Sequence, residues 1–304
     1  MTQDRRGGNI MKVLEASTSI SFKNILFLTD FKETSRAAFT YAMAFARQFN
    51  AHIYPAHAVV PYLPTELEVP TMPDILKQIE VQAGEQLARM VKDSGPEYTA
   101  LVTQEAPEDA VPRWSREHGI DLIVTGTHGR KGFERLLLGS TAETIFRQAT
   151  CPVLTVGPAV PPQPKRELSI SNILFATDLS RPTEAAISYA VSLALERHAR
   201  LTLLHVLPEG TREYGDRARL IQFVMDELRR LVPENAGFVS TPEFMIKEGD
   251  PAEQIIDYAR QNGADLIVLG LPNNKQFNTH FRTGVTYKVV STAPAAVLTV
   301  RDLS

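Results

Sequence analysis

The feature that most limits how this chain can fold is an internal repeat. The sequence Asn-Ile-Leu-Phe-Leu-Thr-Asp at residues 24–30 returns as Asn-Ile-Leu-Phe-Ala-Thr-Asp at residues 172–178, an offset of 148. Two later tetrapeptides return at an offset of 144: Asp-Leu-Ile-Val from 121–124 at 265–268, and Val-Leu-Thr-Val from 153–156 at 297–300. Because the matches keep their order, we expect a duplicated domain whose second copy is slightly shorter in the middle.

The length of the chain fits this duplication, since 304 residues are enough for two domains of about 150 residues each. Four prolines fall between residues 157 and 165, where they prevent a helix and disfavour a sheet interior. We therefore predict a semi-rigid linker between two compact domains. The predicted segments are a loosely ordered tail at 1–20, the first domain at 21–157, the linker at 158–168 and the second domain at 169–304.

Composition excludes several classes of protein. Hydrophobic residues make up 43% and charged residues 22%, which is typical of a globular protein and excludes a disordered chain. The net charge of −3 leaves no positive surplus for nucleic acid or an anionic membrane, so we expect neither as a partner. We find no apolar run long enough to span a membrane and no signal peptide, so we expect a cytoplasmic protein. The one cysteine, Cys151, excludes an internal disulfide and is expected to be a small buried residue.

Within each copy, short apolar runs alternate with longer helical segments. In the first copy we predict strands at 25–29, 52–59, 98–103, 122–125 and 152–156, and helices from a Thr34-Ser35 cap to about 49 and at 74–92, 108–118 and 141–148. Strands that are apolar on both faces and separated by helices indicate a parallel sheet covered on both sides. The predicted fold class is therefore α/β, with two tandem doubly wound domains, each a five-stranded parallel sheet flanked by helices.

A glycine-rich run follows the fourth predicted strand, at the sheet edge where doubly wound domains bind ligands. Gly126 and Gly129 allow close backbone approach, so their N–H groups could form an anion-binding nest. Gly139-Ser140-Thr141 opens a helix whose free N–H groups favour an anion, and Arg130 and Lys131 could balance its charge. Each feature alone is typical of a turn or a cap. Together on one edge they favour a phosphate site.

Two polar residues on neighbouring strands are less specific. Asp30, at the end of the first strand, is either a turn residue or an acceptor for a ribose hydroxyl or an adenine amine. His57 lies inside a predicted strand, where we expect a hydrogen-bonded core histidine.

These segments resemble the universal stress protein family. The resemblance rests on the Gly-x2-Gly-x9-Gly-Ser/Thr motif from Gly126 to Ser140, the strand ending at Asp30, the strand end His57-Ala58, and Cys-Pro-Val-Leu-Thr-Val from Cys151, and it covers about residues 21–157 and 169–302. It implies a Rossmann-like, adenine-nucleotide α-hydrolase-like fold. It also implies that the domains pair along their last strands, 153–156 with 297–300, as an intramolecular pseudo-dimer, and it leaves a further homodimer open.

The resemblance to ATP-binding members of that family also implies a ligand site. Asp30 and the backbone around Thr29 and Ala58 would hold adenine and ribose. Ribose and phosphates would be held by Gly126, His128, Gly129, Gly139, Ser140 and Thr141, with Arg130 nearby. Whether the nucleotide is ATP, ADP or AMP, and whether Mg²⁺ accompanies it, stays open.

The second copy departs from this pattern. Gly270 is kept, but Asn273 stands at the position of Gly129, and Thr283-Gly284 stands at that of Gly139-Ser140. The β-branch of Thr283 would crowd a phosphate, and Pro272 removes one N–H donor. We predict that the second copy keeps the fold and Asp178 but binds nucleotide weakly or not at all.

Three functions remain in competition. The leading hypothesis is a regulatory protein of the stress response that binds one adenine nucleotide. The alternative is a nucleotide-dependent enzyme with slow ATP hydrolase or adenylyl-transfer activity. The sequence contains no Walker loop, Ser-Gly-Gly-x-Asp loop or His-x-Gly-His motif and no nucleophile–base pair, so we assign no catalytic or metal-binding residues. The third hypothesis is a nucleotide-free dimerisation scaffold, against which the intact first motif argues.

Overall fold

A computed structural model of the chain describes residues 20–59, 72–92, 94–127, 140–161, 169–180, 183–210, 216–233, 236–272 and 284–302. In its first half the strands and helices are β1 Asn24–Leu28, α1 Glu33–Phe49, β2 His52–Ala58, α2 Met72–Val91, β3 Leu101–Thr103, α3 Pro107–Glu117, β4 Leu122–Gly126, α4 Ser140–Gln148 and β5 Val153–Val156. In its second half they are β6 Asn172–Ala176, α5 Thr183–Arg197, β7 Arg200–Leu207, α6 Arg217–Arg230, β8 Glu243–Glu248, α7 Pro251–Gln261, β9 Leu266–Leu271, α8 Val285–Thr292 and β10 Ala296–Arg301.

The ten strands form one sheet in the order β3-β2-β1-β4-β5-β10-β9-β6-β7-β8. Pairing is parallel within each half, as predicted, and only the central pair, β5 with β10, is antiparallel among these strands. Leu154 stands opposite Leu298 in that pair, and both side chains are fully buried. The predicted pairing of the last strands is therefore confirmed. The α/β fold class is confirmed as well.

Helices cover both faces of the sheet and enclose two apolar cores. One core lies under α1, α2, α5 and α6, and the other under α3, α4, α7 and α8. The first core is continuous between the halves, where Phe22 stacks on Tyr189 with ring centroids 6.0 Å apart. Gln48 Nε2 also donates to Glu196 Oε2 at 3.3 Å. Because Gln48 and Glu196 are equivalent residues of the repeat, this bond lies close to the pseudo-twofold axis.

An aspartate and an asparagine that recur in both copies of the repeat form hydrogen bonds at the amino ends of the strands. The Asp121 carboxylate accepts from the backbone N–H groups of Lys23 and Asn24 at 2.7 and 3.1 Å. The side chain of Asn24 donates to the Gly119 carbonyl at 3.2 Å. Asp265 and Asn172 repeat both contacts in the second half. Burial raises the pKa of Asp121, although the two backbone donors oppose that shift.

Two local predictions need correction. Thr34 and Ser35 do not cap the first helix, because α1 begins at Glu33 and its N-cap is Lys32, which makes no side-chain bond. The Ser35 hydroxyl instead bonds to Asp30. Cys151 is half-buried rather than fully buried, against the core under α3 and α4. Its partial burial, together with the charge of Asp121, raises the thiol pKa to about 12.

The helices have one further property in common. Across the residues given above, none is both long enough and apolar enough to cross a membrane.

Candidate functional site

A cavity of about 310 Å³ opens at the carboxyl ends of β1, β2 and β4. The strand order changes direction between β1 and β4, and such switch points leave a crevice because the adjoining connections run to opposite faces of the sheet. Four of the predicted site residues lie along this cavity: Thr29, Asp30, Ala58 and Gly126. The structure therefore brings together residues from three strands that are far apart in the sequence.

The loop after β1 is held by hydrogen bonds to β2. The Thr29 carbonyl accepts from His57 Nδ1 at 2.8 Å, since a carbonyl can only accept. Phe31 adopts left-handed backbone geometry, with φ of 63°, and its N–H donates to the Thr29 hydroxyl at 2.9 Å. His57 is hydrogen-bonded as expected, but it is half-buried on the cavity wall rather than in the core. Its ring lies 4.6 Å from that of Phe31.

Asp30 is both a turn residue and a cavity residue. Its Oδ1 atom accepts from the Lys32 N–H at 3.1 Å and from the hydroxyl of buried Ser35. Lys32 Nζ lies 3.0 Å from the other carboxylate oxygen. Sequence reasoning missed Lys32 and Ser35 as cavity residues. The sequence did contain a signal for both. Lys32 stands two residues after Asp30, where an Asx turn forms, and Ser35 stands five residues after it, in the first turn of the next helix.

Gly126 is required by packing. A Cβ atom added there would lie 2.7 Å from the Thr34 carbonyl oxygen and 3.0 Å from the Ser35 backbone nitrogen. Backbone atoms cannot yield as a flexible side chain can. The first turn of α1 therefore rests directly on the end of β4, and this contact alone accounts for the glycine.

The inner wall of the cavity is apolar. It is formed by Leu28, Ala56, Val111, Trp114 and Ala142. Val111 and Trp114 stand three residues apart on α3 and are both buried, so they present one face of that helix to the cavity. Sequence reasoning missed this wall, although the spacing of the two residues predicted a buried helix face. Trp114 is the one tryptophan of the chain, which makes it a natural optical probe.

The remaining predicted site residues are only partly described. His128, Gly129, Arg130 and Gly139 lie outside the residues that the structure describes. Ser140 and Thr141 form the first turn of α4. The structure therefore places a helix N-terminus after the glycine-rich run, as predicted. In the described ranges no three histidine, cysteine or acidic side chains gather as metal ligands.

The second half repeats the first loop but changes what surrounds its aspartate. His205 Nδ1 donates to the Thr177 carbonyl at 2.9 Å, and Leu179 repeats the left-handed φ at 62°. Asp178 Oδ1 accepts from the Ser180 N–H at 2.9 Å. Ser180 takes the place of Lys32, so in the part of this loop that the structure describes there is no equivalent of that ion pair. Residues 273–283, which carry the altered motif, lie outside the described ranges.

Comparison with known proteins adds the following findings. A sequence model of the Universal stress protein family matches residues 21–157 and 169–301. A universal stress protein of Methanocaldococcus jannaschii is 31% identical over 150 residues, covering 48% of this chain and 85% of that protein. One of Mycolicibacterium smegmatis is 25% identical over 289 residues, covering 91% of this chain and 96% of that protein.

A solved structure shows the same fold over most of the chain. The crystal structure of a universal stress protein from Archaeoglobus fulgidus superposes with a TM-score of 0.69 at 16% identity. It covers 91% of this chain and 98% of its own. The similarity therefore includes both halves of the ten-stranded sheet.

Proposed function

Because this chain belongs to the universal stress protein family, we propose that its first domain binds one adenine nucleotide and acts as a regulatory module of a stress response. The observation that carries the proposal is the cavity at the carboxyl ends of β1, β2 and β4. It combines an apolar inner wall, polar groups at its mouth, and a direct connection to the glycine-rich run that begins at Gly126.

The chemistry of the lining fits a nucleoside. Trp114, Val111 and Ala142 offer an apolar surface for a purine ring. In this proposal the Asp30 carboxylate accepts from ribose hydroxyls or the adenine amine, and the backbone of Thr29 and Ala58 completes that end of the site. The volume of about 310 Å³ lies at the low end of the roughly 300–1,000 Å³ typical of small-molecule pockets, which suits a nucleoside.

The phosphates would extend from this cavity toward α4. We propose that the motif glycines supply N–H donors there, that Ser140 and Thr141 add hydroxyl and helix-terminal donors, and that Arg130 offsets charge. His128 stands between the two glycines of the motif. Backbone donors of this kind do not need a basic surface, which fits the net charge of −3.

Nucleotide content gives the first test. Mass spectrometry of the small molecules released from denatured, freshly purified protein is expected to find ATP, ADP or AMP. Asp30→Ala and Gly139→Val are expected to abolish that release, whereas the matched second-half variant Asp178→Ala should retain it. Unchanged nucleotide content in both first-half variants would overturn the site assignment.

Fluorescence of Trp114 gives the affinity and the ligand preference. Titration with ATP, ADP and AMP, each with Mg²⁺ and with EDTA, should change its emission because the indole lies on the proposed purine surface. The binding ratio by calorimetry is expected to be one nucleotide per chain, since the second motif is altered. A ratio near two would contradict the proposed inactivity of the second site.

Release of inorganic phosphate separates binding from hydrolysis. We propose that binding rather than turnover is the main activity. Incubation of saturating ATP and Mg²⁺ with wild-type protein and with Asp30→Ala should give the same low rate of phosphate release. A faster rate that requires Asp30 would favour the enzymatic alternative.

A further inference from the structure

The two halves differ at the amino ends of their strands, on the sheet face covered by α3 and α7. In the first half three aromatic rings pack together there. The His52 and Tyr54 ring centroids lie 4.6 Å apart, and those of Tyr54 and His118 lie 4.6 Å apart. His52 Nε2 is also hydrogen-bonded to the Thr99 hydroxyl at 2.9 Å. Aromatic side chains thus fill this corner of the first domain.

The equivalent positions in the second half hold smaller or more flexible groups. At the repeat offsets, Arg200 replaces His52, Thr202 replaces Tyr54 and Asn262 replaces His118. The structure has a cleft of about 320 Å³ here, and all three replacements line it. Loss of the three packed rings therefore accounts for the space.

The guanidinium of Arg200 is held at one side of this amino-end cleft. Its Nε donates to Asn172 Oδ1 at 2.7 Å, and the Asn172 amide in turn donates to the Gly263 carbonyl at 3.0 Å. Within the described residues the Arg200 side chain makes no other hydrogen bond and no ion pair. Both terminal nitrogens are therefore free to bind a carboxylate through two parallel hydrogen bonds.

A carboxylate residue lines the same cleft as this guanidinium. Glu243 is paired with Thr202 in the β7–β8 ladder, so Arg200 is its diagonal neighbour on the same face. Paired strands lie about 4.8 Å apart and two residues advance about 6.6 Å along a strand, so the Cα atoms of these two residues are roughly 8 Å apart. Among the residues that the structure describes, Glu243 has no side-chain hydrogen bond and no ion pair, with Arg200 or any other cation. Two opposite charges thus face one cleft without neutralising each other.

Two neutral polar side chains, those of Asn262 and Thr202, line the same cleft. The Asn262 Nδ2 atom donates to the Tyr258 carbonyl at 2.9 Å, which leaves its Oδ1 atom as an acceptor. The Thr202 hydroxyl can donate or accept. The cleft therefore offers a cation, an anion and two hydrogen-bonding groups to one small molecule.

We propose that the amino-end cleft binds a small zwitterion of the α-amino acid class. The ligand carboxylate lies against the terminal nitrogens of Arg200, and its ammonium group lies against the Glu243 carboxylate. The site is separate from the proposed nucleotide site, which lies at the opposite ends of the strands and in the other half of the chain. It gives the second domain a ligand of its own.

The test uses the full chain and ligand-detected NMR with alanine, serine, glutamine and glutamate as probes. N-acetylalanine, which lacks the ammonium charge, and alanine amide, which lacks the carboxylate, are the matched single-charge analogues. At least one amino acid is expected to bind, and its analogues are expected to bind at least tenfold more weakly. Failure of all four amino acids to bind wild-type protein would overturn the proposal.

Variants assign the binding to this cleft. Arg200→Gln and Glu243→Gln should each weaken binding about tenfold or more, because each removes one charge-assisted contact. The double variant Thr202→Tyr, Asn262→His should abolish it by restoring the bulk found in the first half. Arg219→Gln, an exposed change on α6 outside the cleft, is the control and should bind like wild type.

Two further results would contradict the proposal. N-acetylalanine binding as tightly as alanine would indicate a simple anion site. Unchanged binding in both Arg200→Gln and Glu243→Gln would place the ligand elsewhere. Both substitutions are at exposed side chains, so melting temperatures near that of wild type are expected, and these two variants remain informative if the double variant does not fold.

Discussion

At the scale of single residues, Gly126 and Gly84 make a contrasting pair. A methyl group at Gly126 would meet the α1 backbone at 2.7 Å, whereas one at Gly84 in α2 would meet only a Val102 methyl at 3.9 Å. Gly126→Ala is expected to lower the free energy of unfolding by about 1–3 kcal/mol, because α1 must shift. Gly84→Ala is expected to raise it by about 0.5–1 kcal/mol, since alanine favours a helix interior.

Urea denaturation of the two variants checks this prediction. A Gly126→Ala protein as stable as wild type would show that the close approach is not rigid. The presence of glycine at position 126 would then have to be explained by a need of the bound ligand alone. Nucleotide release from the same variant distinguishes these roles, because a packing defect lowers stability even when no nucleotide is present.

At the scale of secondary-structure elements, the starts of α7 and α3 differ in capping. Asp250 precedes α7, and its Oδ1 atom accepts from the Glu253 N–H at 2.9 Å. The equivalent Ala106 precedes α3 with similar backbone angles and no side-chain cap. The backbone hydrogen bond from Glu253, followed by contacts with Lys288, lowers the pKa of Asp250 from its ordinary 3.8.

We therefore expect Asp250→Ala to cost about 1 kcal/mol of stability at pH 7 and Ala106→Asp to add about 0.5–1 kcal/mol. A lowered pKa in the folded state means that the contribution of Asp250 is complete above pH 3.8 and is lost as pH falls through the lower folded value. Urea denaturation from pH 7 to pH 3 measures the difference between wild type and Asp250→Ala. A difference that does not shrink toward pH 3 would contradict a cap formed by the carboxylate.

The sequence predicted the secondary-structure elements better than it predicted the side-chain contacts. Runs such as Ile25–Leu28 and Leu122–Thr125 are apolar on both faces, and this pattern alone indicates buried parallel strands. The prediction that Thr34 and Ser35 cap α1 was wrong. The Ser35 hydroxyl bonds to Asp30 instead, and local helix rules do not consider that contact. The cavity wall at Trp114 was missed for a related reason, since it depends on which face of α3 packs against the sheet.

At the scale of the whole molecule, the two halves share both the sheet and a core. Thr299 Oγ1 donates to the Val153 carbonyl at 3.2 Å across the central strand pair. Arg301, at the end of β10, donates to the Phe146 carbonyl in the last turn of α4, so a side chain of one half helps to satisfy a helix end of the other. These contacts add to the stacking of Phe22 on Tyr189. Unfolding of either half would expose the core of its neighbour.

This continuity predicts that the chain unfolds in one cooperative transition. Leu298→Ala removes a fully buried side chain at the central pair and is expected to cost about 2–5 kcal/mol. Hydrogen exchange should then increase in peptides from β1 and β6 alike, because both strands depend on the shared core. Leu87→Ala, equally buried but on α2 away from the central pair, is expected to increase exchange in both halves as well, because a single cooperative transition is destabilised as a whole wherever the change lies. Two separate calorimetric transitions, or faster exchange in β6 alone after Leu298→Ala, would mean that the domains are stable independently of each other.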